Sequence, residues 1–303
     1  MLSIFFFILL SHACSVKSQL PQNIFILAGQ SNMAGRGGVI NDTKTNTLIW
    51  DGVVPAQCQP NPSILRLNAK LTWVQAHEPL HADFDVAKTN GVGPGMPFAN
   101  AILTKRQSFG VIGLVPCAIG GTNISEWRKG SFHYEQMVRR TRVALQSGGI
   151  IRALLWYQGE SDTITLEDAE SYKGRLEKFF MDLRSDLQDP MLPIIQVALA
   201  SGEGTFVDIV REAQLGSDLP NVECVDAKGL PLEPDGLHLS TPSQVRLGEM
   251  LADAFPESIL SPTKASGITG NAPTMFASYI SYFLLIQLLI SLSIILTLTI
   301  NFP

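Results

Sequence analysis

Residues 24–38 read IFILAGQSNMAGRGG, and the fold follows from how this stretch divides. Ile24-Phe25-Ile26-Leu27-Ala28 is a short, continuous apolar run, the pattern of a strand buried on both faces of a sheet. Gly29-Gln30-Ser31-Asn32 breaks the run, and Met33-Ala34 can open a helix. A serine at a sharp strand-to-helix turn has its hydroxyl lifted clear of the sheet and backbone N–H groups close by. A nucleophile whose substrate oxygen becomes negative needs both. The plain alternative for Ser31 is a helix N-cap.

Downstream, buried strand patterns at 111–115, 151–157, 193–199 and 222–225 alternate with helical patterns at 98–107, 134–146, 166–187, 207–215 and 242–254. The helix at 166–187 carries Leu176, Phe179, Phe180, Leu183 and Leu187 on one face with charges between them. The last helix starts with Ser240 or Thr241 as cap and Pro242 in its first turn. Residues 41–90 hold only weak strand signals, at 64–67 and 71–74, and read as long loops over one end of a sheet. Apolar strands alternating with amphipathic helices predict a three-layer α/β/α sandwich around a central parallel sheet, flavodoxin-like in plan. Ligands in such folds gather at the carboxyl ends of the strands. Ser31, Gly120-Gly121 and Gln158-Gly159-Glu160 each follow a buried strand, so they are expected to meet in one crevice.

Asp235-Gly236-Leu237-His238 supplies the second half of the chemistry. A neutral imidazole can take a serine proton through one nitrogen while the other donates to a carboxylate. Asp235, three residues before His238 in a turn loosened by Gly236, can reach back to it. Gly120-Gly121 can present backbone N–H groups to an oxyanion, and Gln158 brings an amide donor. A tight turn and a strand cap are the plain alternatives for these.

Gly29-Gln30-Ser31-Asn32-Met33, Gly120-Gly121-Thr122, Trp156-Tyr157-Gln158-Gly159-Glu160-Ser161-Asp162 and Asp235-Gly236-Leu237-His238 together resemble the blocks of the SGNH (GDSL-like) hydrolases. More narrowly they resemble the sialate O-acetylesterase-like group and carbohydrate esterase family six, over residues 23–255. The resemblance implies hydrolysis of O-acetyl esters on sugars. Ser31 would be the nucleophile, His238 the base and Asp235 its orienting acid. An oxyanion hole would be made by Ser31, Gly121 (or Gly120) and Gln158, with Glu160 hydrogen-bonded behind the Ser31 turn. It calls for no metal or organic cofactor. The third block carries Gln158 where most of the superfamily has asparagine, a trait of the narrower group. Glu160 and Asp162 are alternative acid partners for His238. Arg36 and Arg128 read as sugar contacts or structural ion-pair residues, and Trp127 as a stacking or packing side chain. Two rival functions remain: a lipid or acyl-ester hydrolase on the same scaffold, and an anchored carbohydrate-binding protein without catalysis.

The chain has 303 residues, a formal charge of −5 and 16% charged residues, with no Lys/Arg run, which argues against nucleic acid as a partner. Residues 1–18 read as a signal peptide, an apolar run at 4–10 followed by small residues, with cleavage after Ser15 or Ser18. Residues 19–260 form the α/β domain. Residues 261–274 are a small, polar spacer, with Ser266, Gly267 or 270–272 as possible lipid-attachment points. Residues 275–300 are uncharged and long enough to cross a bilayer, as a GPI signal or a membrane anchor. Both ends point to the secretory pathway and the cell surface. Cys58, Cys117 and Cys224 allow at most one internal disulfide. Asn41 and Asn123 head glycosylation sequons.

Overall fold

The computed structural model describes residues 20–255. The expected signal peptide (1–18) and the expected spacer and apolar tail (261–300) lie outside the described residues. β1 (Asn23–Gly29) is buried along its whole length at the centre of a seven-stranded sheet. The other members are β4 (Ile64–Leu67), β5 (Trp73–Gln75), β6 (Ile112–Pro116), β7 (Ile150–Tyr157), β8 (Ile194–Ala198) and β9 (Val222–Asp226), in the order β5-β4-β6-β1-β7-β8-β9. All neighbours are parallel except β4 and the edge strand β5, so the sheet is mostly rather than wholly parallel. β5 starts at Trp73, not at Leu71 as the residue pattern predicts. Leu71 sits at φ 61°, in the turn that reverses the chain for antiparallel pairing.

β1 is apolar from Ile24 to Ala28, and the sheet is covered on both faces. Phe25 meets Phe98 of α2 (Gly95–Lys105) at 4.9 Å between ring centroids, and Phe255, just past α6 (Thr241–Ala254), at 5.2 Å. On the opposite face Trp156 of β7 packs on Phe179 of α4 (Leu166–Asp186) at 4.5 Å and on Trp127 at 5.2 Å. α3 (Phe132–Leu145) and α5 (Val207–Leu215) complete that layer. Each such ring withdrawn from water contributes on the order of 2–3 kcal/mol. α2 begins before Phe98, where the sequence reading starts it. Pro97 sits in the first turn, where its missing N–H costs nothing.

Two local features matter for the site. α1 (Ser31–Ala34) is a single turn, ended by Gly35 at φ 97°. β2 (Val39–Asp42) and β3 (Thr47–Trp50) form an antiparallel hairpin where only loop was expected. Asp42 closes the hairpin turn, accepting from Lys44 N at 3.0 Å and Thr45 Oγ1 at 2.9 Å.

Candidate active site

The chain order reverses at β1, which lies between β6 and β7, and parallel strands deliver their carboxyl ends to one edge. Ser31 follows β1 there. The connection is tight: Gly29 has φ 129°, and a Cβ on it would lie 2.0 Å from Tyr157 O. Glycine at this position lets β1 run beside β7 up to the turn that carries Ser31. Gln30 occupies the N-cap position, without a side-chain cap bond. Ser31 is therefore the first helical residue, and its hydroxyl is free of capping duty. Oγ lies 3.0 Å from His238 Nε2.

His238 is held by its own turn. Asp235 Oδ1 accepts the N–H groups of Leu237 and His238, each at 2.9 Å, and Oδ2 lies 2.6 Å from His238 Nδ1. Gly236 permits this turn with φ 70°. The carboxylate draws the ring proton to Nδ1 and leaves Nε2 to accept from Ser31. Partial burial works against the Asp235 charge, but the two N–H groups and the imidazole outweigh it and hold the acid below its ordinary value of 3.8. It stays ionised throughout the neutral range.

Asn32 joins these parts. Its side chain is buried, donates to Glu160 Oε1 at 2.8 Å and accepts from Leu239 N at 2.8 Å. The serine turn, the histidine loop and the end of β7 are thus pinned through one residue. Glu160 stands behind the Ser31 turn as expected, not against His238. Burial pushes it up to about 7, with the Asn32 bond opposing. Asp162, the other alternative acid, accepts from Ile124 N and Gln158 Nε2 and is raised by burial to about 6.

Gly120 and Gly121 line the same cavity as Ser31. The Gly120 N–H is turned toward Asp85 Oδ2, at 3.3 Å. This leaves Gly121, at φ 77°, as the glycine able to donate into the cavity. The expectation for Gln158 is not met. Its amide is fully buried, outside the cavity lining, and Nε2 faces Asp162 Oδ2 at 2.6 Å, Thr122 O at 2.9 Å and Gln30 Oε1 at 3.2 Å. Those internal acceptors occupy the donor that was assigned to the oxyanion, and Gln158 is a buried strut between β1 and β7.

Arg36 is buried against Asp85 at 2.5 Å and Asn90 at 2.8 Å, so it is an ion-pair residue in the cavity wall. Arg128 is exposed and Trp127 is a packing side chain whose Nε1 donates to Thr122 Oγ1 at 3.0 Å. Cys58, Cys117 and Cys224 are unpaired. Asn123 accepts from Ser125 N at 3.1 Å as a helix cap, whereas Asn41 is exposed on β2.

The cavity, about 320 Å³, also involves residues that sequence reasoning passed over: Val39 and Leu48 of the hairpin, Lys88, Glu203 and Glu233. Glu203 follows β8 at the same edge, and Glu233 lies two residues before Asp235. Neither position carries a motif.

Residues 21–257 match the family described as carbohydrate esterase, sialic acid-specific acetylesterase. A probable carbohydrate esterase of Arabidopsis thaliana is 58% identical over 242 residues, spanning 79% of this chain and 93% of that protein. An Arabidopsis thaliana crystal structure, also 58% identical, superposes with a TM-score of 0.76 over 78% of this chain and 98% of the other. Two more distant structures share the fold. NanS is 18% identical with a TM-score of 0.57, over 80% of this chain and 98% of its own. A carbohydrate acetylesterase from Xanthomonas citri is 18% identical with a TM-score of 0.52, over 76% of this chain and 55% of its own.

Proposed function

The chain belongs to the sialic acid-specific acetylesterase family of carbohydrate esterases, a family of carboxylic ester hydrolases, and we propose that it removes O-acetyl groups from carbohydrate by a serine mechanism. Ser31 Oγ attacks the acetyl carbonyl while His238 Nε2 takes the hydroxyl proton. Asp235 stabilises the imidazolium that forms. The tetrahedral oxyanion is received by the N–H of Ser31, which at the first position of α1 has no intrahelical partner, and by that of Gly121. The imidazolium then protonates the departing sugar oxygen. A water molecule, deprotonated by His238, releases acetate from the acyl-serine.

The observation that carries this reading is the unbroken relay of 3.0 Å from Ser31 to His238 and 2.6 Å from His238 to Asp235, opening on a cavity large enough for a sugar residue. The substrates this reading names are acetylated cell-wall polysaccharide such as xylan, or smaller acetylated sugars. Ser31→Ala removes the attacking oxygen without disturbing the fold. Acetate release from acetylated xylan and from an aryl acetate should disappear, with Tm unchanged; full activity in this variant would sink the assignment.

For the ends of the chain we propose export and attachment at the cell surface. The apolar run near the N-terminus and the uncharged segment 275–300 support this. Release of the protein from membranes by a phosphatidylinositol-specific phospholipase distinguishes a lipid anchor from a retained membrane helix.

A further inference from the structure

The cavity that holds Ser31 is asymmetric. One wall is apolar: Val39 and Leu48 lie on the same face of the hairpin, and Thr89 Oγ1 fixes that wall by donating to Leu48 O at 3.0 Å. Facing the cavity elsewhere are two glutamates, Glu203 and Glu233, with no cation paired to either among the described residues. Each is anchored through one oxygen only. Glu203 Oε1 accepts from Ser161 Oγ at 2.8 Å, and Glu233 Oε1 accepts from Gly38 N at 3.1 Å. One hydrogen bond orients each carboxylate, exposed at Glu203 and half-buried at Glu233, and leaves Oε2 of each to accept from a ligand. Oriented acceptors beside an apolar wall suit a pyranose, which presents hydroxyl donors at its edge and C–H groups on its face.

The geometry points to a substrate class: a neutral, hydroxyl-bearing acetylated sugar, recognised through Glu203 and Glu233, with sugars that carry a carboxylate disfavoured. This rests on the esterase reading above and narrows it. Arg36 does not alter the balance, because Asp85 already neutralises it. Lys88, exposed at the rim, is the one unneutralised cation among the lining residues; Asp235 also lines the cavity, but its carboxylate is turned onto its own turn and the His238 ring. At about 6 Å, and with screening between that of a protein surface and of water, one carboxylate disfavours a second by roughly tenfold in binding. With Lys88 offsetting one of the two glutamates, the expected net preference is about tenfold.

The test compares kcat/KM of the full-length protein on two matched esters, an O-acetylated methyl galactoside and the corresponding methyl galacturonide, which carries a carboxylate in place of the CH2OH. The wild type should favour the neutral ester by about tenfold, and raising the salt should narrow the preference through screening. Glu203→Gln and Glu233→Gln should each lower the neutral-to-anionic ratio several-fold, while Lys88→Ala should raise it. Reading a ratio keeps the outcome independent of how well each variant folds. A wild type that favours the galacturonide or treats both alike overturns the inference, as does a ratio that neither glutamine variant changes. If the aryl acetate and both sugar esters are hydrolysed without preference, only this inference fails. If no ester is hydrolysed, the esterase reading fails with it.

Discussion

Glu160→Gln tests whether the buried carboxyl behind the serine turn costs the fold stability at neutral pH. Glu160 is 0% exposed, and among the described residues its only side-chain partner is Asn32, which reaches Oε1, while Oε2 is buried with no partner. Burial raises its proton affinity from an ordinary value of 4.5 to about 7, against the Asn32 bond and with help from the charges of Glu203 and Asp162. The sign follows from which state ionises first. Below 4.5 both the folded and the unfolded chain hold the proton, and the group has no effect on stability. Between 4.5 and about 7 the unfolded chain releases its proton while the folded one keeps it, so stability falls as pH rises. Above about 7 both are ionised and the loss levels off. At ~1.4 kcal/mol per tenfold in proton affinity, the whole step is about 3 kcal/mol. Glutamine has nearly the same shape and no charge, so its stability lacks this step. Urea unfolding of wild type and variant at intervals from about pH 4.5 to 8.5 measures the difference. Glu78, raised by burial to about 8, and Asp162 remain in both proteins and largely cancel from it. The variant should gain about 3 kcal/mol on the wild type across the range. A difference that stays flat with pH would refute the reasoning, whatever its absolute size.

Asp235→Asn keeps an oxygen to accept from Leu237 and His238 N–H, so the turn survives, but it places an amide against Nδ1 and favours the ring tautomer with its proton on Nε2. Esterase kcat should fall by about 10³–10⁴ with Tm little changed, and a loss below about tenfold would count against Asp235 as the orienting acid. Gly29→Ala forces a Cβ to within 2.0 Å of Tyr157 O at a φ of 129°. It should cost about 4 kcal/mol or more and abolish soluble expression or lower Tm by 10 °C or more. The control Gly229→Ala, at φ 84° with nothing within 4 Å of the added methyl, should cost only about 1 kcal/mol.

The relay was legible in the sequence because its parts depend on two regularities that need no tertiary detail. Asp235 and His238 lie three residues apart, and one glycine turn is enough to join them. Ser31 and His238 are 207 positions apart, yet both follow strands of a parallel sheet, and parallel strands must present their carboxyl ends together. The same rule placed Gly120, Gly121 and Gln158 at that edge. It could not say which way each group points across it. Gln158 lies at the right edge but faces inward, because its direction is decided by Asp162, four residues on, together with Thr122, Gln30 and Tyr172, which come from segments that no spacing relates to it.

The cavity walls were hidden for a different reason. Among the described residues β2 and β3 pair only with each other, and Ile40, Leu48 and Ile49 stay exposed, so there is no buried face to impose a strand period on the sequence. Glu203 and Glu233 act through their position around the mouth, which is set by the packing of the loops after β8 and β9. A chemical step needs a few residue types in a narrow geometry and so leaves a mark in the sequence. Recognition of a sugar needs only acceptors and an apolar surface at suitable distances, which many residues in many loops can supply. The relay geometry could therefore be anticipated before the structure, whereas a proposal for the substrate class had to wait for the side chains that line the cavity.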